Sequence, residues 1–507
     1  MQYLCHNLKQ IAQIPMVKFV KLNETFIKIV CEKSTLEEIS SHFKFVQKNF
    51  QYTPQGKKGW DGVIKMINTK NGNFLSGLLK EVILKFKEMG YHQFSFEGFE
   101  NSASEYTENS ILEALDEFKL PDDRQLREYQ LNAILTCLLG QRRICIAATN
   151  AGKSLILYAI SRILIESDKK VLIVVPTVLL VSQIYADFES YAKDDAFDIE
   201  GNYHTITAGY AKDSPKQCYI STRDSISAIP KENLSEYLEK FDAILVDEVH
   251  GAEAKSMALI VEKAINAKYK LGFTGTLHDS KIHELKLLGL FGTIKKIVST
   301  KELIDSGYAA KLKIKCIILQ YSDEMRYLAS GMEYSDELDL IIGNDSRNMF
   351  ITNLSDKLKG NNLILIRFVE KHAKVLQEYF DKKNNKKTYL LTGDTDKDEK
   401  LFVKEHLETV TNCNLMGSYG LLSTGVSITN LNNLIFASPA KSKVRVLQSI
   451  GRMLRKNKNK TNAVVYDIVD DMTYEGRYNH MMRHFKERLQ HYKNEGFEIE
   501  FIKVNIK

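Results

Sequence analysis

Two α/β domains in tandem, each a parallel sheet clothed by helices, behind a small α+β domain: that is the fold class the sequence predicts, on three observations. The chain has 507 residues, 44% of them apolar, enough for about three domains at the usual ~150 residues each. From about residue 124, short β-branched runs alternate with helical segments, as in RRICIAAT, KKVLIVVP, FDAILVDE and YKLGFTGT. Such βα alternation implies parallel strands covered on both faces. The pattern pauses near 300 to 360 and resumes in NLILIRF, KTYLLTG, CNLMGSYG, NLIFASP and NAVVYDIVDD, which predicts a second domain of the same kind.

The elements ahead of that alternation read differently. Residues 17–32, VKFVKLNETFIKIVCE, alternate apolar and polar around Asn-Glu, the pattern of a β-hairpin. A helix follows, begun by Ser34 and Glu37 at capping-box spacing and carried by Leu36, Ile39, Phe43 and Val46. GVIKMINTKNGNF predicts a strand and an Asn-Gly turn, and SGLLKEVILKFKEMG a second helix closed by Gly90. Residues 1–100 carry 14 lysines against 9 acids, whereas 101–123 carry seven acids and one lysine. The predicted division is therefore a small α+β domain at 1–100, an acidic linker at 101–123, α/β domains at 124–300 and 301–470, and a helical, basic-aromatic tail at 471–507.

Composition excludes several classes. Lysine plus arginine exceed aspartate plus glutamate by 70 to 64, so charge matters only where it clusters. The seven cysteines form no CxxC pair and no ladder with histidines, which argues against a disulfide frame or a zinc site and suits a reducing cytoplasm. The N-terminal stretch lacks the basic and apolar regions of a signal peptide, and no apolar run approaches the ~18 residues of a membrane span. The expected location is cytoplasmic, the host cytoplasm for a viral protein.

Chemistry begins at AATNAGKS, residues 147–154, which follows a predicted strand and opens a predicted helix. In that context the backbone of Thr149, Asn150, Ala151 and Gly152 cradles phosphates, Lys153 reaches the β- and γ-phosphates, and Ser154 holds Mg²⁺. The alternative is a plain strand–helix turn. At ILVDEVH a hydrophobic strand delivers Asp247 and Glu248 at its carboxyl end. Asp247 suits a metal held through water, and Glu248 suits activation of the attacking water. The alternative here is a solvated loop start. In QSIGRMLRK, residues 448–456, Arg452 and Arg455 are three apart on one predicted helix face. They read as arginine fingers, whose fixed forks meet γ-phosphate oxygens, or else as a solvated charged face.

The order of these pieces, over residues 124 to about 470, resembles the superfamily-two DExH helicases. LREYQ resembles their adenine-recognition motif, implying that Arg127 and Gln130 contact the base. AATNAGKS fits motif I. VPTVLLVSQ, with Thr177 and Gln183, and ISTRDSI, with Thr222, resemble motifs that contact the nucleic-acid backbone. DEVH is similar to motif II, with His250 coupling it to the motif-III-like TGT of Thr274 and Thr276. SYGLLSTGVSI resembles motif V, which places Gly425 at the nucleotide, although Ser427 stands where that motif usually has an acid. QSIGRMLRK resembles motif VI, with Gln448 in the coupling. GKKGWDGVIKMI, TNAGKS, SYGLLSTGVSI and KSKVRVLQSIGRMLRK together resemble the UvsW-type recombination helicases of T-even bacteriophages over nearly the whole chain. The resemblance implies two RecA-like domains, a nucleic-acid-binding small domain, and ATP with Mg²⁺ as cofactors. It implies remodelling of branched DNA: Holliday-junction migration, fork regression, and D-loop and R-loop unwinding. Branched or duplex DNA and RNA–DNA hybrids are then the partners, with room for a single-strand binding protein and none for a membrane.

Residues 441–460 hold eight basic residues and no acid. With the two arginines assigned to ATP, Lys441, Lys443, Arg445, Lys456, Lys458 and Lys460 are the DNA candidates, or a solubilising surface. The only tryptophan, Trp60, sits in GKKGWDG. Either its ring plugs the small domain's core, or Lys57 and Lys58 grip phosphate while Trp60 stacks on an unpaired base. Two rival functions stand beside the DNA motor: an RNA helicase, because a DExH core does not identify the sugar, and an annealing or scaffolding protein gated by ATP.

Overall fold

The computed structural model describes residues 16–47, 50–207, 212–250, 255–277, 281–419, 428–438, 443–454, 460 and 462–506. By compactness the chain divides into two units, 1–147 with 152–297, and 298–507 with 148–151.

The first unit starts with the small domain. Strands β1 (Val17–Lys21) and β2 (Phe26–Val30) form the expected antiparallel hairpin, with Asn23 Oδ1 accepting from Thr25 N–H and Phe26 N–H at its turn. The following helix, Lys33–His42, starts two residues earlier than the Ser34 box predicts, capped at Glu32 without a side-chain bond. Val46 leaves the predicted helical stripe for the short strand β3 (Lys44–Val46), which pairs with β4 (Val63–Lys65), and is exposed. Strand β5 (Asn73–Leu75) pairs with β2, the helix Leu79–Glu88 follows, and Gly90 takes the left-handed φ of 90° expected after a helix. Strand β6 (Phe94–Glu97), which the sequence did not announce, lies parallel to β1.

This domain packs on the first α/β domain. Its core of Phe19, Ile29, Phe74, Val82 and Phe86 reaches Leu285 and Leu288 of the helix Lys281–Phe291. Gly77 permits the contact, since a Cβ there would stand 2.0 Å from the Leu288 carbonyl oxygen. Buried in the same contact, Lys270 donates to Thr25 Oγ1 and, at 2.9 Å, to the Val261 carbonyl. Burial first, and then the Arg142 charge, push the Lys270 ammonium far below its ordinary range against the pull of Glu24 and Glu262. A lysine depressed in the fold costs stability below its unfolded value of ~10.4. Lys270→Met is therefore expected to unfold at higher urea than the parent at pH 7, with the difference shrinking as the pH rises toward 10.

The predicted acidic linker is not a linker. Its helix Glu108–Asp116, opened by a Thr107–Ser110 capping box, buries Ile111 and Leu115, and Phe118 just beyond the helix joins them, in the core of the first α/β domain. Phe118 carries the Arg162 guanidinium 3.9 Å above its ring. Glu108, Glu113 and Asp116 lie on the exposed face of that helix, and Glu105, ahead of it, pairs with Lys169 and Lys268.

The first α/β sheet has seven strands: β7 (Arg142–Ala147), β8 (Val171–Val175), β9 (Tyr203–Ile206), β10 (Cys218–Thr222), β11 (Ala243–Asp247), β12 (Tyr269–Thr274) and β13 (Thr293–Val298). Their order is β13-β7-β12-β11-β8-β10-β9. β8 is buried at every position, as expected of a parallel strand covered twice. Consecutive strands β7 and β8 are separated in the sheet by β12 and β11, so the chain reverses direction beside the carboxyl end of β7, where open α/β sheets bind ligands.

The second unit holds β14 (Lys311–Gln320), β15 (Asn362–Ile366), β16 (Thr388–Leu391), β17 (Asn414–Ser418), β18 (Asn433–Phe436), β19 (Asn462–Asp471) and β20 (Glu498–Asn505), ordered β16-β17-β15-β18-β19-β14-β20 and parallel throughout. The tail predicted as helical belongs to this domain and also carries its last strand. Its helix, His480–Asn494, is tied down by the buried Arg488–Asp467 ion pair, and its last strand is the sheet's edge beside β14. Among the described residues, no helix is long and apolar enough to cross a membrane.

Candidate nucleotide site

Strand β7 leads into the loop at 148–152, and the helix Lys153–Glu166 follows at once. Asn150 and Gly152 adopt positive φ of 72° and 76°, the turn that lets successive N–H groups face one way. The Gly152 φ favours glycine, and a Cβ there would lie 2.3 Å from Gln130 Nε2, the tip of that side chain. Gln130 is thereby set against the loop. It is 3% exposed, and its Oε1 accepts from Arg127 N–H at 2.9 Å. Arg127 Nη1 donates to Tyr129 OH at 2.7 Å.

Six of the candidate residues meet at the carboxyl ends of β11 and β12. Lys153 Nζ donates to Glu248 Oε1 at 2.7 Å and stands 3.6 Å from Asp247 Oδ1. His250 Nδ1 lies 3.2 Å from Glu248 Oε2 and 2.9 Å from Thr274 Oγ1, which donates to the Thr276 carbonyl at 2.8 Å. A chain of polar contacts thus joins the phosphate-loop lysine to the TGT threonines through Glu248. Glu248 has φ 53°, a left-handed backbone that costs a non-glycine residue of order 1–3 kcal/mol and persists at sites that need a fixed side chain.

The two acids are shifted in opposite directions. Burial would raise the Glu248 carboxyl, but Lys153 and His250 outweigh it and hold it well below the usual carboxylate range. Burial, with Glu248 nearby, raises Asp247 against the pull of Lys153. Burial also opposes the Lys153 charge, yet the two carboxylates win and raise it. Asp247 Oδ1 is buried and accepts no hydrogen bond, so it is an acceptor left for a hydrated divalent cation. The Ser154 hydroxyl, on the residue next to Lys153, bonds Tyr191 OH at 2.8 Å. This donor set of carboxylate and hydroxyl oxygens fits Mg²⁺.

Tyr191 carries no motif and lies 37 residues from Ser154; its only signal is an apolar helical stripe with Ile184 and Phe188, all buried. Thr177 and Thr222 cap the helices that follow the neighbouring strands β8 and β10, accepting from Leu180 N–H and Ser225 N–H. Both therefore sit on the same edge of the sheet as Asp247. Thr222 is 4% exposed, and Gln183 is half-buried one turn into the Thr177 helix.

Other candidates fall apart or lie elsewhere. Gly425, Ser427, Lys441, Arg455, Lys456 and Lys458 lie outside the described residues. Gln448, Lys443, Arg445 and Arg452 belong to the helix Lys443–Met453, of which only the backbone is described at these positions. Lys460 is 2% exposed, so burial removes it from the proposed phosphate contacts. In the small domain Lys57 and Lys58 are exposed on a 3-10 turn. Trp60 is half-buried and meets Phe50 edge to face at 6.3 Å, outside the domain's core. The core-plug expectation is thereby corrected: the aromatic plugs of this domain are Phe19, Phe74 and Phe86.

Comparison with known proteins places this geometry. Residues 123–279 match the model of the type III restriction enzyme res subunit, and 346–457 that of the helicase conserved C-terminal domain. The ATP-dependent DNA helicase uvsW of Enterobacteria phage T4 is 30% identical over 499 residues, covering 95% of this chain and 98% of that protein. The DNA 3'-5' translocase XPB2 of Sulfurisphaera tokodaii is 26% identical over 73% of this chain and 87% of its own length. The crystal structure of T4 UvsW aligns over 96% of this chain and 99% of that one, with a TM-score of 0.50 and 28% identity. A likeness over 95% of this chain and 98% of that protein at 30% identity decides the matter: the chain belongs to the UvsW helicase family of superfamily two.

Proposed function

We propose that the chain couples ATP hydrolysis to the remodelling of branched DNA in the host cytoplasm: Holliday-junction migration, fork regression, and unwinding of D-loops and R-loops in phage recombination, repair and replication. The observation that carries this reading is the end-to-end likeness to the T4 DNA helicase, which includes the small domain. DNA rather than RNA is the substrate, and duplexes, forks and RNA–DNA hybrids are the forms remodelled, with a single-strand binding protein as an accessory partner.

In this reading Lys153 binds the β- and γ-phosphates, with the loop backbone from Thr149 to Gly152 around them. Arg127 and Gln130 recognise the base, and Gly425 lines the nucleotide. Ser154 and Asp247 would hold Mg²⁺, which would supply counter-charge to the phosphate oxygens. Glu248, held ionised, takes the proton of the attacking water. His250, Thr274, Thr276 and Gln448 transmit the nucleotide state, and Thr177, Gln183, Thr222, Lys441 and Lys443 hold the nucleic-acid backbone. Arg452 and Arg455 act as the arginine fingers.

ATP turnover measured with single-stranded, duplex, forked and four-way DNA, and with RNA, tests the reading. Greatest stimulation by branched DNA supports it; stimulation by RNA alone, or by no branched form, sinks it. The exposed lysines of the small domain make a second prediction. Lys57→Ala with Lys58→Ala is expected to weaken fork binding and to flatten its log–log salt dependence by about 1.8, the loss of two duplex phosphate contacts. Trp60→Ala is expected to cost ~1–3 kcal/mol of affinity for unpaired bases at the fork and, because the ring lies outside the core, no more than about 1 kcal/mol of stability. Thermal unfolding and fork titration of the same sample check both.

A further inference from the structure

The basic-aromatic stretch from Met472 onward has no role in the ATP chemistry. It lines a cleft of about 740 Å³ in the second α/β domain, beyond the carboxyl ends of β14 and β19. Tyr327 and Tyr474 meet there edge to face at 5.6 Å, and Tyr327 remains 67% exposed. Tyr478 is 45% exposed, with Lys486 Nζ 3.5 Å from its ring centre. A two-residue turn fixes the cleft's mouth: Tyr474 and Arg477 exchange backbone hydrogen bonds of 3.2 and 2.9 Å around Glu475 and Gly476, both at positive φ. Glu475 pays the strain of that conformation, which is kept where flanking side chains must be held in place.

The charges of the cleft favour an anion. Arg477 and Arg483 are both exposed and line it. Among the described residues neither guanidinium pairs with a carboxylate, and Arg483 has only a 3.4 Å bond to the Asn479 carbonyl. The acid beneath them, Glu337, is 1% exposed and already saturated by Asn479 Nδ2, His480 N–H and Met481 N–H at 2.7, 2.8 and 3.0 Å. Glu475 is the one exposed acid of the lining.

We propose that this cleft binds a single strand of DNA, with unpaired bases stacked on Tyr327 and Tyr478 and phosphates met by Arg477 and Arg483. Exposed tyrosine faces interleaved with unpaired cations are the means by which proteins hold single strands without reading sequence. A duplex hides its base faces, so only a separated strand gains from the rings. A strand held there after separation cannot re-anneal at once. The proposal rests on the reading of DNA as substrate, but its probe is unbranched, so failure on junctions and failure here are separate results.

Binding of a short labelled oligothymidylate, followed by anisotropy across a salt series, tests it. Tyr327→Ala and Tyr478→Ala are each expected to weaken binding by about fivefold or more at unchanged salt slope, while Tyr327→Phe restores it. Arg477→Ala with Arg483→Ala is expected to flatten the slope by about 1.4. Urea unfolding of each variant confirms an intact fold. An oligonucleotide bearing 5-iododeoxyuridine is expected to cross-link to Tyr327 or Tyr478. Parent-like affinity in both alanine variants, or cross-links that map only outside the cleft, overturn the proposal; a partner protein would then be the better occupant.

Discussion

Lys153→Ala is expected to abolish ATP turnover, and Glu248→Gln to lower it by about 10²–10⁴ while sparing nucleotide binding. The two side chains touch at 2.7 Å, yet their losses differ in kind. Without Lys153 the phosphates lose a counter-charge, and Asp247 and Glu248 are left as neighbouring buried acids, so their carboxyls shift upward and nucleotide affinity falls as well. Without the Glu248 carboxylate only the proton acceptor is gone, because the amide keeps the shape and still bonds Lys153. Isothermal titration of ATP beside a turnover assay separates the two. A Glu248→Gln variant that hydrolyses at near the parental rate contradicts the assignment of the base.

Arg452→Ala and Arg455→Ala carry the second large effect, a fall in turnover of ~10³ or more for whichever arginine meets the developing γ-phosphate charge. A guanidinium used in this way acts on the transition state, so ATP binding changes much less than turnover. Lysine in place of either arginine is expected to rescue little, since a point charge does not reproduce the fork. Parental turnover in both alanine variants returns the two arginines to a charged surface.

The parts of the fold that were legible in the sequence are those whose signals are local. VLIVV of β8 and AILVD of β11 read as strands because a parallel strand buried on both faces is apolar without interruption. The phosphate loop and DEVH read as a site because each places its chemistry directly after such a strand. What the sequence conceals depends on distant partners. The seven acids of 101–123 suggested a linker, while the stripe of Ile111, Leu115 and Phe118 inserts beneath Arg162 of another helix. EIEFIKVN alternates as an edge strand does, and Lys313 of β14 pairs with both Glu498 and Glu500 across it; the helical pattern before it concealed that period. Strand β6 is set by its parallel pairing with β1, some 75 residues earlier. Trp60 illustrates the same limit: composition favours a core ring, but Phe19, Phe74 and Phe86 already fill that core.

The most direct test of the central claim is branch migration of a synthetic four-way junction with labelled arms, run with ATP, without ATP, and with the Glu248→Gln protein. The account predicts conversion of the junction to duplex products that requires ATP and is lost in Glu248→Gln, although both proteins bind the junction. A junction bound by the parent but never migrated, or migrated equally by Glu248→Gln and without ATP, would contradict it.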